Sequence, residues 1–159
     1  MLQANKLERL WINAQEWGLV HLDRLRAHRR RGNPTAPHLE IGLRGERAAM
    51  FELRRRGVVI VARRWSSSKM RGDIDLIGWD GDRLCFFEVK TRTAHGMRPA
   101  ESAVDEDKRE MVRGLARAYL HTFPEPERPT IPVRFDVVSV YAIAGKNEFQ
   151  IFEGAFGWR

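Results

Sequence analysis

Asp75, followed after a strand-and-turn interval by Glu88 and Lys90, is the set of residues in this chain whose types and spacing could do chemistry. Two carboxylates that converge can hold a hard divalent cation, and an ammonium group beside them can orient water or meet an anion. Whether they converge depends on the segment between them. Asp73 to Trp79 and Arg83 to Thr91 both read as strands, and Asp80-Gly81 between them suits a tight hairpin turn. With Asp80 and Gly81 as the two loop residues, Trp79 pairs with Asp82, Asp75 with Phe86 and Asp73 with Glu88. Asp75 is then a diagonal neighbour of Glu88, with β-carbons at most roughly 7–8 Å apart. Lys90 projects from the same face, which also displays Ile77, Leu84 and Phe86. Isolated charges on such a surface are costly, so they need a reason to be there.

One reason is an ion pair in which Lys90 neutralises Asp75 or Glu88 without any chemistry. Glu46 weighs against it, because it shares a helical stripe with Ala49, Met50 and Leu53 and should point towards the sheet as a fourth charged group. An exposed Glu in the first turn of a helix, favoured by the dipole, is the competing account of Glu46.

The elements that must position these residues follow from periodicity. Lys6 to about Arg26 carries Leu7, Leu10, Trp11, Ala14, Trp17, Leu22 and Leu25 mostly at three- and four-residue spacing, a helix with Gly18 as a potential break. His28-Arg29-Arg30-Arg31-Gly32-Asn33-Pro34, with Pro37 just beyond, reads as an exposed basic linker. Residues 1–40 are therefore expected to be a helical extension, and 41–159 the compact domain. In that domain Leu43 to Arg56 is a helix ended by Gly57, and Val58 to Ala62 is a β-branched run that suits a buried strand. The hairpin follows. Val104, Lys108, Met111, Val112, Leu115, Ala118 and Tyr119 then mark a second helix, stopped by the proline-rich segment from Pro124 to Pro129. Val133 to Ile143 is a fourth strand, and Gly145-Lys146-Asn147 turns it into a closing strand from Glu148 to Phe152. The order is helix, three strands, helix, strand, strand, an α/β arrangement.

The chain has 159 residues, enough for one substantial core. Its formal charge is +7 and its pI about 10.3, which makes nucleic acid the first partner to consider. Arg63, Arg64, Lys69 and Arg71 approach the second strand, and Arg92 and Arg98 follow the third, so phosphates could be met beside the acidic cluster. Lys108, on the inward stripe of its helix, either reaches the site or a phosphate or snorkels to solvent. Cys85 is the only cysteine, which excludes an intramolecular disulfide, a thiolate metal cluster and a Cys-x-x-Cys pair, and it should be a small core residue. His95 reads as a loop histidine, and Trp65 and Trp79 as core or rim packing. No apolar stretch approaches the length of a membrane span and no secretion signal is legible, so a cytoplasmic location is expected. Phosphate-cradling, dinucleotide and His-Glu-x-x-His motifs are absent from the sequence.

Asp75 with Glu88-Val89-Lys90 resembles the signature of the PD-(D/E)XK nuclease superfamily. Gly45-Glu46-Arg47-Ala48-Ala49, Gly72-Asp73-Ile74-Asp75-Leu76-Ile77, Phe87-Glu88-Val89-Lys90-Thr91-Arg92 and Arg134-Phe135-Asp136-Val137-Val138 together resemble the bacterial YraN-like family of predicted endonucleases. Asp73 stands where that pattern has Glu, and the first forty residues lie outside the likeness. The resemblance spans about Ile41 to Ile143 and implies a restriction-endonuclease-like core close to the Holliday-junction-resolvase branch.

The expected function is a metal-dependent endonuclease that hydrolyses DNA phosphodiester bonds, with branched or damaged DNA as candidate substrates. Asp75, Glu88 and the main-chain carbonyl of Val89 are expected to bind Mg²⁺ or Mn²⁺. Lys90 would orient water or stabilise the phosphate, Glu46 would serve a second ion or its water shell, and Asp73 is the reserve ligand should the hairpin register differ by one pair. The alternatives are a non-catalytic nucleic-acid-binding module of the same fold and an interaction protein whose N-terminal helix docks a partner. A resolvase would ordinarily be a homodimer, but no dimer surface is legible in the sequence.

Overall fold

The computed structural model describes residues 4–29, 37–92, 105–143 and 146–159. Arg98, His95, Val104, Gly145 and the Arg30–Pro34 part of the expected linker lie outside these residues. The elements are α1 (Lys6–Arg29), α2 (Pro37–Arg55), β1 (Val59–Trp65), β2 (Ile74–Asp80), β3 (Arg83–Arg92), α3 (Glu106–Leu120), a short 3₁₀ turn (Arg128–Thr130), β4 (Val133–Ile143) and β5 (Lys146–Phe156). The strands form one mixed sheet in the order β1-β2-β3-β4-β5, antiparallel except where β3 and β4 run parallel. That parallel pair needs a crossover, and α3 supplies it.

Alternation along the strands sends two apolar sets to opposite faces. Leu76, Cys85, Phe87, Val138 and Val140 pack with Ala48, Ala49, Phe51 and Leu53 of α2, while Ile77, Leu84, Phe86 and Phe135 pack with Val112, Leu115 and Ala116 of α3. The result is an α/β sandwich with three α-helices and five strands among the described residues.

Four expectations are corrected. The hairpin register differs by one pair: Asp80 pairs with Arg83, Ile77 with Phe86 and Leu76 with Phe87, so Gly81 and Asp82 are the loop residues. Gly81, at φ 63°, takes the left-handed position that an aspartate in its place would adopt only under strain. The first strand is not buried. β1 lies at the sheet edge with Val59 63% exposed, and only Val58, just before it, is enclosed at 2%. β-branched residues favour extended backbone whether or not a second neighbour covers them.

The helix expected from Leu43 begins at Pro37, whose fixed φ suits a first helical position, so a residue assigned to the linker opens the helix instead. α1 runs through Gly18 without a break, and its apolar stripe is turned outward: Leu7, Leu10, Trp11, Trp17 and Leu22 are exposed, whereas Ile12 is the buried anchor. Polar contacts hold α1 to the end of α2, with Arg54 donating to Gln15 at 2.7 Å, Arg55 to Asn13 at 2.9 Å and Arg55 paired with Glu16.

Candidate active site

The β2–β3 ladder runs from Asp80↔Arg83 to Leu76↔Phe87, which puts Asp75 across from Glu88 at the next step. The one-pair difference in register is an even step of two residues, so Asp75, Glu88 and Lys90 keep the face expected for them and the two carboxylates come closer than a diagonal. Asp73, just before β2, moves away from Glu88 and is not its opposite. The carboxylate of Asp75 accepts the main-chain N–H of Val89 at 2.6 Å, so the carbonyl-bearing residue between Glu88 and Lys90 is tied to the first acid.

Asp75 is 8% exposed and Glu88 4%. Burial, with the Glu88 charge next, pushes the Asp75 carboxyl up to about 7, against smaller opposing effects of the Val89 N–H and Lys108. Two ammonium groups meet Glu88: Lys90 Nζ lies 2.9 Å from Oε1 and Lys108 Nζ 2.9 Å from Oε2. The Lys108 approach is an ion pair without hydrogen-bond alignment, for Oε2 is buried and has no hydrogen-bond partner. Lys108 also donates to the main-chain oxygen of Asp73 at 3.4 Å. Its place follows from the local sequence, because the Asp105 side chain caps α3 by accepting the Lys108 N–H at 2.8 Å and sets Lys108 in the first turn. Of the two roles open to Lys108, reaching the site is the one observed.

Glu46 reaches the rim from the other layer. α2 lies close on β3 at Gly45, where a β-carbon would stand 1.7 Å from Thr91 Oγ1. The residue after Gly45 is thereby brought to the end of the sheet that bears Lys90. Burial raises the Glu46 carboxyl, Arg64 lowers it, and Asp73 raises it further, with smaller effects of Arg63 and Glu88. Arg64 Nε lies 3.1 Å from Asp73 Oδ2 and 3.9 Å from Glu46 Oε2. Arg64 thus faces two acids, where the sequence suggests a phosphate contact. Arg63, Lys69 and Arg71 are exposed around it, and Arg92 is half-buried at the end of β3.

Ser139 is a residue that sequence reasoning misses. It is fully buried with its hydroxyl unpaired, and the parallel register sets it beside Lys90. Its neighbour on β5 is Gln150, whose side-chain oxygen accepts from the Tyr141 hydroxyl at 3.4 Å. A parallel register made through a crossover leaves no local signal in the sequence, unlike a hairpin.

Other polar clusters are structural. Arg134 donates to Asp136 at 2.8 Å and to Asp80 at 3.0 Å, and Asp136 also accepts the Gly154 N–H at 2.8 Å, which ties the hairpin turn, β4 and the irregular pairing of β5 together. Cys85 lies on the α2 face, and burial pushes its thiol up to about 12, so it is not a nucleophile. Trp65 packs edge-on against Tyr119, and Trp79 against Phe123. Among the described residues no group of three or more His, Cys, Asp or Glu side chains is arranged to hold a metal ion, and no helix is long and apolar enough to cross a membrane.

A family model described as "Uncharacterised protein family UPF0102" matches residues 45–140. That interval contains Glu46, Arg64, Asp73, Asp75, Glu88, Lys90 and Lys108, and excludes α1 and β5. The chain is similar to a UPF0102 protein of Koribacter versatilis (strain Ellin345), 45% identical over 119 residues that cover 75% of this chain and 80% of the relative. A UPF0102 protein of Solibacter usitatus is 41% identical over 112 residues, 70% of this chain and 82% of its own. One from Chlorobaculum tepidum is 40% identical over 105 residues, 65% and 77% respectively.

Proposed function

From the premise that this chain belongs to the UPF0102 family, we propose that it is a metal-dependent endonuclease of the YraN-like type, with a restriction-endonuclease-like core. The observation that carries this reading is the meeting of Asp75, Glu88 and Lys90 on one buried sheet surface, with a second lysine, Lys108, aimed at the same glutamate. The sheet order and the sequence of elements, helix, three strands, crossover helix and strand, support the fold assignment.

Mg²⁺ or Mn²⁺ suits the donors present. Two buried carboxylates face each other, one of them carries an oxygen without a hydrogen-bond partner, and their mutual repulsion is relieved by a cation. Two carboxylates and a main-chain carbonyl make a smaller protein set than three clustered side chains, as fits an ion that keeps several waters. Asp75, Glu88 and the Val89 carbonyl would hold it. When bound, such an ion polarises a phosphate and generates a nucleophilic water near neutral pH.

The chain's own residues do the rest. Lys90, 31% exposed at its side chain, can leave Glu88 to orient the attacking water or meet the phosphate. Lys108 is less exposed, at 23%, and offsets the charge of Glu88. The exposed Arg63, Lys69 and Arg71 would hold the DNA backbone without reading its sequence.

A second reading is favoured by one observation: both oxygens of Glu88 already face ammonium groups, as in a purely structural ion cluster of a nucleic-acid-binding module. Lys90→Ala separates the two. Loss of metal-dependent cleavage with DNA binding retained supports the enzyme, whereas an unchanged cleavage rate removes Lys90 from the chemistry.

A further inference from the structure

α1 turns its apolar side away from the molecule. At 3.6 residues per turn, Leu7, Leu10, Trp11, Trp17 and Leu22 fall within an arc of about 140°, with Ala14 and Gly18 along its middle. Ile12 and Glu16, which face α2, lie on the opposite side. Leu7 is 78% exposed, Trp11 65% and Trp17 70%. At such exposures, and with about 150–250 Å² for a whole aromatic side chain, the stripe presents roughly 700 Å². The largest apolar patch on a typical monomer is about 300–600 Å², and each partner in a stable interface of standard size gives about 800 Å². Trp11 also walls a groove of about 650 Å³ whose other side is Val59 and Val61 at the free edge of the sheet, so the apolar surface continues onto β1.

Charge narrows what can cover this surface. The chain carries +7, yet no Lys, Arg, Asp or Glu falls in the arc between Leu7 and Leu22, where a face that met phosphates would carry cations. His21, the polar side chain in the arc, is stacked on Trp17 with ring centroids 5.0 Å apart. Gly18 adds a second, independent sign. A β-carbon built there would meet nothing within 4 Å, so the chain itself gives no reason for a glycine that weakens the interior of a helix. A helix laid across Ala14 and Gly18 from outside does give one, because small side chains let two axes come close. We infer that the outward stripe of α1 is a dimer surface, on which a second copy of this chain packs its own α1 antiparallel, with the two axes closest at Ala14 and Gly18. A second copy fits because the stripe is matched to itself: the small residues sit midway along it, and in an antiparallel crossing the bulky Leu7, Leu10 and Trp11 of each copy meet the Trp17 and Leu22 end of the other, as a two-fold contact requires. Copies that repel elsewhere on their surfaces thus meet where neither carries charge. The inference is independent of the metal-binding reading of Asp75 and Glu88.

Light scattering on the full chain as it leaves a sizing column gives its mass over a concentration series that reaches the submillimolar range. The parent should show the mass of two 18.5-kDa chains. In the free chain Gly18→Leu enters open space and replaces a poor helix former, but in the dimer it stands where the partner axis must come. It should weaken dimerisation by about tenfold or more while circular dichroism shows no less helix than in the parent. Trp17→Glu sets a charge in the stripe and should give the monomer mass; should that variant lose helix, Leu10→Glu makes the same comparison at the other end. A parent of monomer mass throughout overturns the inference, and a blue shift of its tryptophan emission on phosphatidylcholine vesicles would then assign the stripe to a lipid surface. A dimer that none of these substitutions weakens also overturns it, by placing the contact elsewhere.

Discussion

Asp75 hangs on the strand that carries its partner acid: its carboxylate accepts the Val89 N–H at 2.6 Å, one residue beyond Glu88. The bond fixes where the first carboxylate points, yet it relieves only part of the cost of burying that charge beside a second one. Burial and Glu88 together raise the carboxyl to about 7.

Because the Asp75 carboxyl is raised from its ordinary 3.8, the folded chain holds a proton that the unfolded chain releases. The stability this contributes is full below about pH 4 and is lost as pH rises through about 7, an effect on the order of 4 kcal/mol. Asp75→Asn keeps an acceptor for the Val89 N–H and has no charge to bury. Thermal melts should show it more stable than the parent at pH 8 and nearly equal to it at pH 4. A difference that does not vary with pH would contradict this assignment.

Gly45 sets the distance between α2 and β3, since a β-carbon there would meet Thr91 Oγ1 at 1.7 Å. Gly45→Ala should cost about 1–3 kcal/mol in denaturant unfolding, the usual range for overpacking. Because Glu46 travels with α2, an added Thr91→Ala should recover most of the loss by making room.

The Arg134–Asp136 pair provides a control on the opposite face of the sheet from the acids, Asp136 being paired with Phe87 of the α2 side. Asp136 is fully buried and Arg134 nearly so, with 10% of its side chain exposed. Asp136→Ala leaves the arginine with Asp80 and Glu153 alone and should destabilise by about 3–5 kcal/mol. Mn²⁺ binding by the folded fraction should be unchanged.

Arg63, Lys69 and Arg71 should contribute to DNA affinity through charge. Replacing each with Ala should weaken binding by a similar factor for all sequences and lower the magnitude of the salt-dependence slope by about 1 for every phosphate left without its cation. Anisotropy titrations over a range of salt concentrations measure both. A slope unaltered in the triple variant would place the DNA elsewhere.

The face that carries Asp75, Glu88 and Lys90 is legible in the sequence because alternation along a strand survives an error of two residues in register. The position of the turn is not, because Asp-Gly and Gly-Asp both suit tight loops, and the left-handed position of Gly81 selects between them. β1 carries β-branched residues, and those record extension without saying which strand ends the sheet. In α1, spacing identifies a helix, but Ile12, outside the apolar stripe, is what packs. Arg64 turns to Asp73 and Glu46 because of long-range packing of α2 beside β1, which no local pattern encodes. Ser139 is hidden for the same reason, its neighbour Lys90 being reached only through the crossover.

The most direct test of the proposed activity is cleavage of labelled single-stranded, duplex, flap and four-way-junction DNA in Mg²⁺, Mn²⁺ or EDTA, with a Glu88→Ala, Lys90→Ala double variant in parallel. Cutting of at least one substrate with either metal is expected, with none in EDTA and none by the variant. Binding without cutting by the parent, or cutting that persists in the variant, would contradict it.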